Sequence, residues 1–132
     1  MFKTAHHKVD DFRQGRIRQA DEEFLQDCQI CSGTEAARIG LAVRRAVGGV
    51  GLVDPLFVRA DDSYPGTLER LPLWDSMDWV AFEMEVEREL GEPLPSGEHV
   101  PTPSAQRMTV RDLVERVREL MRPSPTRSEF RR

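Results

Sequence analysis

Ser76 stands directly after Asp75 and two residues before Asp78, at the head of an acidic, helix-patterned stretch that runs to Leu90. Asp75 has the right chemistry for a helix N-cap, and Asp78 sits three residues on, where a carboxylate answers the cap as in a capping box. Gly91 and Pro93 then stop the helix. A serine in that position is held near the positive end of the helix dipole, on a bend open to solvent. The free N–H groups of a helix terminus tolerate negative charge. The hydroxyl is therefore well placed to carry a phosphate-linked group.

Other residues with chemical potential are few. Cys28 and Cys31 form a lone Cys-Gln-Ile-Cys. A structural zinc site usually takes four ligands, and no second pair is present in the sequence. No strand signal precedes the pair, as a thioredoxin-like motif requires. Cys28 is expected to pack as a small hydrophobe behind Phe24 and Leu25. The three histidines, His6, His7 and His99, fall in expected mobile or loop segments, so a Ser-His-Asp triad is not expected.

Charge is unevenly spread. Residues 61–100 hold 11 acidic side chains against Arg70 and Arg88, a local net of −9 in a 132-residue chain whose overall charge is −4. Such a surface repels nucleic-acid backbones and attracts basic protein surfaces. The basic residues after position 100 are not interleaved with a series of aromatics, so no nucleic-acid role is expected for them. No apolar run approaches the roughly 20 residues that span a bilayer. The first residues lack the apolar core of a signal peptide. A cytoplasmic protein without membrane contact is expected.

The elements that would position Ser76 follow from periodicity and punctuation. Residues 1–20 are polar and are expected to form a mobile arm or a frayed helix. Asp21 is expected to cap a short helix to Cys28, and Ser32 with Glu35 to open the first long helix. Ile39, Val43, Ala46 and Val50 recur in that helix at helical spacing, and Gly48, Gly49 and Gly51 are expected to break it. Residues 52–74 form a long connection, too apolar to be free, with one helical turn near Thr67–Leu71. The helix after Ser76 shows a stripe of Trp79, Phe82, Val86 and Leu90, with Val80 beside it. Pro101 and Pro103 allow only a short helix. Thr109 then caps a last helix with Asp112 answering it and an apolar stripe of Val110, Leu113, Val114, Val117, Leu120 and Met121. One domain over 21–122 is expected, with a disordered tail at 123–132.

This ordered set resembles the acyl carrier protein family. Asp75-Ser76-Met77-Asp78 is similar to the family's Asp-Ser-Leu-Asp, the helix to Leu90 has the family's length, Leu94-Pro95 is similar to its Ile-Pro, and Thr109-Val110 is similar to the Thr-Val that opens its final helix. The resemblance covers roughly residues 32–121. Trp74 before the serine, a longer connection and Glu83 at a position where the family has an apolar residue mark a divergent branch.

The resemblance implies an all-α fold, a bundle of three long helices and one short one; the additional helix from Asp21 is expected to pack outside it. It implies 4′-phosphopantetheine on Ser76, Asp75 helping to hold a transferase's metal ion, and an acyl thioester on the arm. Docking is expected to involve Met77, Asp78, Glu83, Met84, Glu85, Glu87 and also Glu89. The implied partners are a phosphopantetheinyl transferase and acyl-transferring or synthase enzymes, with the carrier itself a monomer and not an enzyme. The other reading is a carrier-like fold never modified, working as a protein–protein interaction module.

Overall fold

The computed structural model describes residues 5–72, 79–95 and 107–122, with the side chains of residues 5–7 and 79 left out. Five α-helices appear among them: α1 (Ala5–Arg13), α2 (Asp21–Asp27), α3 (Glu35–Val50), α4 (Trp79–Leu90) and α5 (Val110–Met121). The fold is mostly helical, as expected. One antiparallel pair was not expected, β1 (Ser63–Tyr64) against β2 (Met108–Thr109), in register Ser63 to Thr109. Two residues per strand carry no readable alternation, so only the long-range pairing creates them. The short helix expected near Pro101 and the tail at 123–132 lie outside the described residues.

The long helix α3 is the centre, and both α4 and α5 pack on it. Its cap is Thr34 and not the expected Ser32: the Thr34 hydroxyl accepts from the Ala37 amide at 3.1 Å. Both residue types make good caps, and tertiary placement selects between them. The glycines do not break the helix. It runs through Gly48 and Gly49 to Val50, and Gly51 follows as its C-cap. A Cβ on Gly48 would stand 2.9 Å from Pro55, and one on Gly51 2.6 Å from Leu71. Both glycines let the long connection lie directly on the helix, which for Gly48 outweighs a helix-interior propensity cost of about 1 kcal/mol.

That connection packs as its composition requires. Val53, Val58, Ala60, Leu68 and Leu71 are buried, and Thr67–Arg70 forms a 3-10 turn. A shorter 3-10 turn covers Pro55–Phe57. The α5 stripe is buried as expected at Val110, Leu113, Val114, Val117 and Leu120. Its capping box is complete: the Asp112 amide donates to the Thr109 hydroxyl at 3.1 Å, and the Thr109 amide to the Asp112 carboxylate at 2.9 Å.

The largest departures are two charged groups in the interior. Arg44 is fully buried on α3. Its guanidinium donates to the carbonyls of Gln19, Leu56 and Val58 and to Asp21 at 2.9 Å, and lies 4.6 Å from the centroid of the Phe24 ring. Asp21 is therefore not a cap. It occupies the first turn of α2 and pairs with Arg44, which burial pulls below its ordinary pKa and Asp21 pushes back up. Asp62 is the second such group. It accepts both Arg16 nitrogens at 2.7 and 2.8 Å, the Arg59 amide at 2.7 Å and the Thr67 hydroxyl at 2.9 Å.

Of the stretch expected as a mobile arm or a frayed helix, residues 5–20 are described, and the Arg16 fork ties them to the core. Residues 5–13 form α1, Phe12 is 2% exposed, and the Gln19 amide donates to the Leu56 carbonyl at 2.8 Å. Arg16 also lies 3.9 Å from the Phe12 ring centroid. One aromatic and one bidentate ion pair hold the segment, and neither produces a periodic signal. No helix among the described residues is long and apolar enough to cross a membrane.

Candidate functional site

The segment that carries the candidate serine is bounded by two fixed points. Leu71 and Pro72 are buried on one side, and α4 begins at Trp79 on the other. Asp75, Ser76, Met77 and Asp78 lie between them, outside the described residues. Ser76 is thus three residues from the first residue of α4 and six from Arg70. The first turn of α4 contains no acidic residue.

On α4, Phe82 and Val86 are fully buried and Leu90 nearly so, which is the expected stripe. The stop also holds. Gly91 takes φ +75°, a conformation glycine adopts without strain, and its amide donates to the Glu87 carbonyl. A contribution from outside the helix had no local signal: Arg38 of α3 donates to the Leu90 carbonyl at 2.9 Å, closing the end of α4 from 52 residues away.

The expected docking residues divide. Met84 is 62% exposed and Val80, one turn before it, 57%. Together they place an apolar pair on the outward side of α4. Glu83 is corrected: at 9% exposure it belongs to the buried side and does not project from the helix. It follows Phe82 around the helix into the packed face, the position at which the resemblance implies an apolar side chain. Glu85 and Glu87 are half-buried and already engaged. Glu85 pairs with Arg88 at 2.7 Å, and the Glu87 carboxylate accepts the Leu94 amide at 2.7 Å. Glu87 thereby ties the Leu94-Pro95 turn to α4, with Leu94 buried. The acidic face is a smaller and more occupied surface than a helical wheel implies.

Cys28 is buried at the C-terminal end of α2 and Cys31 is exposed, both as free thiols. Burial raises the Cys28 pKa from 9.0 to about 11. The end of a helix that favours cations also disfavours a thiolate there. A neutral thiol-alkylating reagent at pH 8 is expected to label Cys31 and leave Cys28 until the chain unfolds, read as one added mass and then two. Rapid double labelling of the folded protein would contradict the burial of Cys28. The sign for stability follows from the raised value. The buried thiol favours the fold below about pH 9, and that contribution fades as pH climbs toward 11.

No family model matches the sequence, and no curated protein or solved structure shows significant similarity to it.

Proposed function

We propose that this chain is an acyl-carrier-like protein in which Ser76 receives 4′-phosphopantetheine and partner enzymes act on an acyl group held at the end of the arm. The observation that supports this reading is the order of the described helices around the serine. A long central helix, a packed connection, a helix beginning three residues after Ser76 and a last helix opened by Thr109-Val110 follow one another as the resemblance implies. A phosphate-linked group on Ser76 is compatible with a helix that begins three residues later and whose own first turn holds no acidic residue.

The arm supplies a thiol on which an acyl group is held as a thioester. The chain's own part is to present it. The burial of Phe82, Val86 and Leu90, the Gly91 stop and the Arg38 contact hold α4, which begins three residues after the serine. Val80 and Met84 offer an apolar contact for a partner beside it. Two exposed apolar side chains supply modest affinity, which suits a protein that must release each partner in turn.

Co-expression with a broad-specificity phosphopantetheinyl transferase is expected to add the mass of one arm, and Ser76→Ala to abolish the addition. A folded protein whose mass stays unchanged with several such transferases would overturn the carrier reading. The exposed Val80–Met84 face would then be the working part, and the protein an interaction module.

A further inference from the structure

Four large apolar side chains among the described residues are more than half exposed: Ile17, Leu52, Val80 and Met84. Leu52 is the one whose backbone is also strained. It follows the end of α3 with φ +58°, a region that disfavours residues with a Cβ. The helix end imposes this conformation. The Leu52 amide donates to the Gly49 carbonyl at 3.3 Å and the Val53 amide to the Gly48 carbonyl at 3.0 Å, the pair of bonds that closes a helix around a left-handed residue. Glycine is the usual residue there, and the end of α4 uses it, with Gly91 at φ +75°. Around the end of α3, glycine stands at 48, 49 and 51 but leucine at 52. Burial does not offset the strain, because Leu52 is 57% exposed.

Other exposed apolar groups lie at the same end of the helix pair. Arg38 near the start of α3 reaches the Leu90 carbonyl at the end of α4, so the two helices run antiparallel. Gly49, one turn before Leu52, lies against α4: a Cβ there would stand 3.4 Å from the Glu85 carboxylate. Val80, Ala81 and Met84 are exposed on the N-terminal half of α4. Gly49, Leu52, Val80, Ala81 and Met84 therefore make an apolar, outward face across the two helices.

We propose that this face is a self-association surface whose occupant is a second copy of the chain. The proposal goes beyond the carrier reading, which gives Val80 and Met84 to partner enzymes and Leu52 no task. Charge selects the occupant. Two ion pairs border the face, Glu85 with Arg88 at 2.7 Å and Arg45 with Asp21 at 3.8 Å, and together they hold no net charge. A strongly acidic or strongly basic partner meets a like charge in each pair. A second copy brings the same balanced set, and Glu85 of one protomer can exchange its pairing for Arg88 of the other. Such a contact uses one patch on both sides and closes at a dimer. Three large apolar side chains make a small interface beside the roughly 800 Å² per partner of a standard one, so the dimer is weak and reversible. Partner enzymes would compete with the second copy for Val80 and Met84.

Sedimentation velocity of the full, unmodified chain over a concentration series is expected to show monomer passing to dimer. Leu52→Asn and Met84→Ser are each expected to raise the dimer dissociation constant about tenfold. Ile17→Ser, which removes an exposed apolar side chain outside α3 and α4, is expected to leave it unchanged. Asparagine tolerates the left-handed region, so Leu52→Asn is also expected to hold or raise the urea midpoint of the dilute monomer. A midpoint that falls would show that Leu52 serves the monomer's own packing and would overturn the proposal. So would a dimer weakened equally by Ile17→Ser, or one that neither face variant weakens. A chain that stays monomeric at every concentration would overturn it too, and leave the face to a different partner. Arm mass on Ser76 is a separate measurement, so the carrier reading stands or falls independently of these results.

Discussion

Replacing Arg44 by alanine is expected to destabilise the fold by about 3–5 kcal/mol, because it removes one side of a buried, fully hydrogen-bonded charge and leaves its partners behind. The carbonyls of Gln19, Leu56 and Val58 lose their donor together, and each unsatisfied buried acceptor costs about 1–3 kcal/mol where water cannot reach it. The void left by a fully buried side chain adds to this. Against a total of about 5–15 kcal/mol for a domain, much of the native population would be lost. Urea denaturation should show the midpoint fall sharply.

Two further variants separate the contributions. Arg44→Met keeps most of the volume and loses every hydrogen bond, so it is expected to recover only part of the stability. Asp21→Asn keeps an acceptor at a partly exposed position and is expected to cost about 1 kcal/mol or less. If Arg44→Ala cost less than about 1 kcal/mol, the buried network would not be holding α2 and the long connection to α3.

Truncating Phe82 to alanine is expected to cost about 3–5 kcal/mol, from lost transfer of the ring and from the cavity left behind. Phe82 is fully buried on α4, in the contact with α3. Met84→Ala, two residues on, is expected to stay within about 0.5 kcal/mol, since that side chain already meets water. The contrast between the pair is the sharper reading. Equal losses would mean that α4 does not bury the face described here. A large loss at Phe82 with none at Met84 would also leave Met84 available for partner contact without a stability role.

The two variants also mark the limit of periodicity. The α4 stripe of Phe82, Val86 and Leu90 and the α5 stripe with its Thr109–Asp112 box were legible because both depend on residues three or four apart, which face the same side of any helix. The candidate serine was singled out on the same local grounds, and it lies outside the described residues. Glu83 shows where this fails. A helical wheel marks every charged residue as outward, but α4 buries a sector wide enough to include a carboxylate beside Phe82. The burial of Arg44 carried no periodic signal either, although Ala37, Gly40 and Gly48 lie on its side of α3. Those small residues are a sign of close packing around it.

By itself, then, the sequence determined the existence and phase of the helices after Ser76 and at the C-terminal end, the caps and stops at Thr109 and Gly91, and the packed character of the long connection. All of these rest on interactions between near neighbours or on composition. Only the tertiary structure decided that α3 continues through its glycines, that Thr34 caps it, that Asp21 serves Arg44, and that α1 is fastened through Arg16 and Asp62 beside the turn leading to Ser76. The physical reason is common to them. Each depends on groups that meet only when distant segments are brought together, such as Arg16 and Asp62, 46 residues apart, or Arg44 and Asp21, 23 apart. A buried polar group takes whatever partner the fold delivers to it, and the residues adjacent to it in the chain carry no record of that partner.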